Sequence, residues 1–157
     1  MRDSDSRHID ITHIKTYQSG MVQASAHRLL NRTINVILEP YDLTSTQWFM
    51  IGHIYDAGSA GVKLTDLMGV LDTKLPFITN SVNLLESRGI VQKTGHATDN
   101  RIKLVTIHPR YRKQVDKIET HLREQLRKLL YREDHITRAE LETYITVLYK
   151  MIGATKR

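Results

Sequence analysis

The sequence predicts a mainly helical α+β fold carrying one small β-hairpin, and three observations point to it. Apolar residues recur at spacings of three and four through most of the 157 residues. Two helix-opening boxes, Thr44-Ser45-Thr46-Gln47 and Thr137-Arg138-Ala139-Glu140, place a hydroxyl three residues before a Gln or Glu that can reach back. Two β-branched runs, 90–94 and 102–107, flank the polar loop Gly95-His96-Ala97-Thr98-Asp99-Asn100-Arg101, as in a hairpin.

Residues 11–38 read as one long helix with two apolar stripes. Ile14, Tyr17, Met21 and Ala24 form the first; Val22, Ala26, Leu29, Thr33 and Ile37 form the second. Two stripes imply burial on more than one side, and so a partner. The helix must stop before Pro40, which biases Glu39 away from helix. The first box opens the next helix, with Leu43 and Trp48 as its hydrophobic staple and Gly58 to Gly61 as its stop. A short helix over 64–71 follows, carrying Leu64, Leu67, Met68 and Leu71. Its Gly69 is expected to permit close packing. Asp72-Thr73 reads as the turn and cap of a further helix, 74–88, with Pro76 in its first turn and Gly89 as its stop. Ile78, Val82 and Leu85 form its core face. After the hairpin, Pro109 opens a helix with Tyr111, Val115, Ile118, Leu122, Leu126 and Leu129 on one face. The second box opens the last helix, with Ile136 and Leu141 as staple and Tyr144, Ile145, Leu148, Tyr149 and Ile152 following.

Composition bounds what such a chain does. The net charge of +6 favours an anionic partner, although a basic surface without one is equally compatible with it. Absence of cysteine excludes disulfides, thiolate nucleophiles, cysteine zinc sites and thiol oxidation sensing. No apolar run approaches the roughly 20 residues that span a bilayer, so no membrane role is expected. The polar N-terminus has no signal-peptide pattern, and the chain reads as cytoplasmic. No phosphate-binding glycine loop, nucleophile elbow or zinc-protease motif occurs, so neither an enzyme nor a cofactor is expected.

A short helix, a tight turn, a second helix and a hairpin make a winged helix-turn-helix. The second helix suits the DNA major groove, because one face is apolar while Lys74, Thr79, Asn80, Asn83 and Ser87 lie mostly on the other. Asn can bond adenine bidentately, Thr either kind of edge, and Lys guanine or phosphate. Pro76 and Phe77 can meet thymine methyls. The hairpin adds His96 and Arg101 in its loop and Lys93 and Lys103 on its strands, a basic wing for a phosphate ridge or the minor groove. Asp99 is placed to hold the Arg101 guanidinium. The expected DNA-contacting set is therefore Lys74, Pro76, Phe77, Thr79, Asn80, Asn83, Lys93, His96, Arg101 and Lys103. An ordinary amphipathic helix with a solvated polar face is the competing reading of 74–88, and a weak surface ion pair that of Asp99 and Arg101.

The stretch from Leu43 to Arg101 resembles the MarR (multiple antibiotic resistance regulator) family. Leu43-Thr44-Ser45-Thr46-Gln47-Trp48 is similar to the family's second helix, and Leu64-Thr65-Asp66-Leu67-Met68 to its third. Ile78 to Val91 is similar to its recognition helix and exit strand, and Asp99-Asn100-Arg101 to its wing signature. The resemblance implies a single domain over 1–157, with 11–39 and 108–153 as dimerisation helices around a winged region at 43–107. It implies a homodimer on a pseudo-palindromic operator and a ligand-responsive repressor, the effector being small and aromatic or anionic. The chain departs from the family in having Asn80 where Arg is common. It also lacks a proline near Ala97 and a second arginine near Asn100, and Ile107-His108 and Tyr111 depart from the usual residues after the wing. Basic residues from Arg110 to Arg132 could compensate near DNA or simply solvate a face. The alternatives are a winged-helix protein-interaction module without DNA binding and a metal-responsive regulator using His27, His53, His108 or His121.

Overall fold

A computed structural model describes residues 11–95, 98–99 and 101–154. After a 3₁₀ turn at Ile11–His13, helix α1 (Thr16–Leu38) runs into a second 3₁₀ turn, Glu39–Tyr41, in which Pro40 takes an early position. Helix α2 (Ser45–Asp56) begins where the box predicts. The Thr44 hydroxyl accepts the Gln47 N–H at 3.2 Å, and Gln47 Oε1 accepts the Thr44 N–H at 2.9 Å. Leu43 and Trp48, the staple pair, are both buried.

Helix α3 (Leu64–Leu71) has its predicted bounds, and α4 spans Leu75–Ser87. Two local readings are corrected here. Asp72 ends α3 in the left-handed region (φ 46°), while Lys74 is the N-cap residue of α4 and offers it no side-chain cap. Gly69 is exposed and a β-carbon there would meet nothing within 4 Å, so close packing is not its purpose.

The hairpin is β2 (Val91–Gly95) with β3 (Lys103–Ile107), antiparallel, Val91 facing Ile107 and Lys93 facing Val105. A two-residue strand, β1 (Val62–Lys63), joins the far edge of β3, giving the order β1-β3-β2. Two residues are too few to show alternation, which is why the sequence did not reveal β1. After β3, Pro109 opens a 3₁₀ turn (Pro109–Tyr111) before α5 (Arg112–Leu129). The second box then opens α6 (Arg138–Ala154) through Thr137 and Glu140.

One core joins the end of α1 (Ile34, Ile37, Leu38) to α2, α3, α4, the sheet and α5 (Val115, Ile118, Leu122). Helix α6 contributes nothing to it: none of its described side chains is buried. The first half of α1 is likewise open, with Tyr17, Met21 and Val22 exposed. Of the predicted α1 stripes only Ile37 enters the core; the rest of them, and the apolar side chains of α6, are not fully buried within one chain.

Candidate nucleic-acid interface

Helix α4 is built to hold one face fixed and leave the other free. Ile78, Val82 and Leu85, at spacings of four and three, are completely buried. Lys74, Pro76, Phe77, Asn80 and Asn83 are exposed, and Thr79 is half-buried. Phe77 keeps 46% of its surface although its neighbour Ile78 is completely buried. The helix ends in a Schellman motif: Ile90 N–H reaches Leu85 C=O and Gly89 N–H reaches Glu86 C=O, both at 2.9 Å. Gly89 takes φ 69°, the left-handed conformation this motif needs.

Strand parity redirects one predicted contact. Lys93 lies on the same sheet face as Val91 and Val105, the face that packs on α4. Its ammonium therefore turns to α4, pairing with Glu86 at 3.0 Å and donating to Asn83 Oδ1. Glu86 also accepts the Lys93 N–H at 3.2 Å. Lys93 and Asn83, both expected to face DNA, are joined to each other, and Glu86 balances the lysine charge. The Lys93 hydrogen bond holds the Glu86 carboxyl below the usual glutamate range, partly offset by desolvation. The sign of the linkage follows. The stabilisation is complete above the unfolded glutamate pKa and is lost as pH falls through the folded one. Glu86 is 40% exposed, so only a few tenths of a kcal/mol are expected. Glu86→Gln should flatten that acid-side slope in urea unfolding between about pH 6 and pH 3; an unchanged slope would place the acid sensitivity elsewhere.

At the hairpin end, Asp99 acts differently from the expected clamp. Its carboxylate accepts the Arg101 backbone N–H at 2.9 Å, and its carbonyl accepts the Ile102 N–H at 3.0 Å. The aspartate shapes the loop by this local turn and leaves the guanidinium unengaged by it. Arg101 and Lys103 are exposed and line a cleft of 430 Å³ with Lys63 and Thr65, between the wing base and the starts of α3 and α4. Among the described residues these three cations have no acidic partner, so the cleft is open to an anion. Lys63 was missed from sequence because β1 was missed. His96 lies outside the described residues.

The histidines considered for metal lie on separate elements: His27 on α1, His53 on α2, His108 before the turn into α5, and His121 on α5. His27 bonds Asn31 at 2.9 Å, and His108 accepts the Arg110 N–H. Among the described residues no three His, Asp or Glu side chains converge as metal ligands. Several α5 cations are already engaged. Arg112 sits 4.8 Å above the Tyr55 ring, Arg123 pairs with Glu119, and Arg127 pairs with Glu133.

A helix-turn-helix with a three-stranded sheet at its wing, flanked by long helices with open apolar faces, defines a winged-helix fold. The chain matches the crystal structure of AbsC, a MarR family transcriptional regulator from Streptomyces coelicolor, with a TM-score of 0.72 at 14% identity, over 90% of this chain and 95% of that one. Wild-type MarR from E. coli matches with a TM-score of 0.70 at 22% identity, over 88% and 96%. The S. aureus MepR–DNA complex matches with a TM-score of 0.69 at 22% identity, over 90% and 99%. In sequence, the chain is 28% identical over 95 residues to the uncharacterized HTH-type transcriptional regulator YwoH of Bacillus subtilis (strain 168), covering 60% of this chain and 67% of the relative. No protein-family model matches. The likeness to MarR-family regulators read from Leu43 to Arg101 thus extends to the whole fold. Among the described residues no helix is long and apolar enough to cross a membrane.

Proposed function

We propose that this chain is a sequence-specific regulator of transcription that binds double-stranded DNA as a homodimer on a pseudo-palindromic operator. The observation that carries the reading is the divided α4: three completely buried apolar residues beneath an exposed row of Lys74, Phe77 and Asn80, beside a wing with exposed Arg101 and Lys103. Such a helix can enter the major groove without losing its footing on the domain. The DNA complex of MepR, a protein of the same fold, supports the same use here.

Dimerisation is supported by the uncovered apolar faces. Tyr149 is 73% exposed on α6 and Val22 68% on α1, large apolar side chains that nothing within one chain covers and that an interface would bury. We read the chain further as a repressor released by a small ligand. A cleft of 530 Å³ between the end of α1, the start of α2 and α4, lined by Asn35, Glu39, Leu84 and Arg88 among others, lies where binding could alter the pose of α4. A ligand there acts only through different affinities for two poses.

Titration with duplexes selected from a random pool, at several salt concentrations, tests the reading. Log K should fall by about 0.9 per log unit of salt for each phosphate neutralised. Arg101→Ala should weaken binding to all sequences alike and lower that slope by about one phosphate. Asn80→Ala should cost about 1–3 kcal/mol and relax the preference at one base pair. No binding to any duplex, or binding with no salt dependence, would point to a protein-interaction module instead.

A further inference from the structure

The turn at residues 39–42 is held from two sides by side chains far away in sequence. From the end of α4, the Arg88 guanidinium donates to two successive carbonyls, Asp42 O at 2.6 Å and Tyr41 O at 3.0 Å. Both can be reached because Asp42 adopts the left-handed conformation (φ 51°), which few non-glycine residues take. Its carboxylate lies 3.5 Å from Arg88 but is 94% exposed, so the carbonyl bonds do most of the holding. From α5, His121 Nδ1 shares a 2.8 Å hydrogen bond with the Tyr41 hydroxyl, and the two rings meet edge-on at 5.8 Å. Tyr111, half-buried at the start of α5, lies near both Arg88 and Tyr41. A separate bond, Tyr55 hydroxyl to Asp116 at 2.7 Å, ties α2 to α5 but does not touch α4.

Arg88, Tyr41 and His121 therefore form one polar chain from the C-terminal end of α4 to the middle of α5. We infer that this chain of contacts sets the angle of the recognition helix relative to α5, and thereby the separation of the two half-sites a dimer can read. The inference rests on the DNA-binding reading above and makes Arg88, Tyr41 and His121 positioning residues, none of which need touch a base. Its physical basis is geometry. The forked guanidinium grips two carbonyls at once, so the helix end is fixed in direction as well as distance. A lysine keeps the charge and loses the fork. A half-site moved by one base pair shifts along the axis and rotates with the DNA helix, so a firmly angled pair of recognition helices should discriminate against it.

The test uses the full chain and a set of duplexes carrying the selected half-sites at the selected spacing and one base pair shorter or longer. Wild type should favour its own spacing by about tenfold or more. Tyr41→Phe, which keeps the ring, and Arg88→Lys, which keeps the charge, should lower that preference to about twofold. Tyr41→Phe should bind a single isolated half-site as wild type does, and thermal unfolding should show both variants folded. A merely structural role would weaken binding at every spacing by the same factor and leave the ratio intact; that result overturns the inference while DNA recognition stands. Failure of the wild type to bind any duplex overturns the functional reading itself, and this inference with it.

Discussion

Leu85→Ala should destabilise the protein by about 2–5 kcal/mol, a large share of the 5–15 kcal/mol typical of a folded domain. Leu85 is completely buried on the inner face of α4, so truncation loses its transfer free energy and leaves a cavity between packed neighbours. It also occupies the last helical turn, where its carbonyl accepts the Ile90 N–H in the Schellman motif. Ile90 is itself buried, so the apolar pairing that accompanies this motif is lost together with the cavity lining. The melting temperature should fall by roughly 5–15 °C, and the urea midpoint should drop with an unchanged slope. Leu84→Ala, one residue along on a half-exposed side chain, is the control and should cost far less. Equal losses for the two would show that α4 is not seated on this core.

Leu85 illustrates what was legible in the sequence. Its place follows from a spacing of seven from Ile78, because an amphipathic helix writes its buried face as local periodicity. The capping boxes at Thr44 and Thr137 were legible for the same reason: each is complete within four residues. Contacts that depend on tertiary pairing left no such trace. Lys93 looked like a wing cation because a lone lysine on a short strand carries no sign of which face it occupies. Only the register opposite Val105 turns it toward Glu86. The spacing of Asp99 and Arg101 suggests a bond to the guanidinium, but the carboxylate takes the backbone N–H two residues on instead. Arg88 and His121 reach the 39–42 turn across 47 and 80 residues, a separation no local pattern encodes. The candidate interface was thus readable as a helix face and a hairpin, while the contacts that aim it were not.

Gly61→Ala should destabilise by about 2–5 kcal/mol, and the loss should fall first on the wing. Gly61 has φ 69° and ψ 178°, a backbone region that L side chains essentially do not enter, worth about 1–3 kcal/mol of strain. An alanine β-carbon would also lie 3.0 Å from Val105 O and from Thr106 Cγ2, and 3.2 Å from Leu104 Cβ. The threonine methyl can move. The Val105 carbonyl cannot easily do so, because Val105 sits in the middle strand, opposite Val62 on one side and Lys93 on the other. Overpacking of this kind typically adds about 1–3 kcal/mol. The strand most directly pushed, β3, carries Lys103 and leads back to Arg101, so the cleft these residues share with Lys63 should distort with it. Amide exchange should accelerate at Val105 and its strand partners before the rest of the protein, and duplex affinity should fall even where the protein remains folded. Gly69→Ala gives the opposite expectation: it is helical, its β-carbon meets nothing within 4 Å, and it should stabilise α3 by about 0.5–1 kcal/mol. If Gly61→Ala were as stable as the parent, the loop before β1 could not approach β3 as closely as it does here, and the base of the wing would have to be rebuilt.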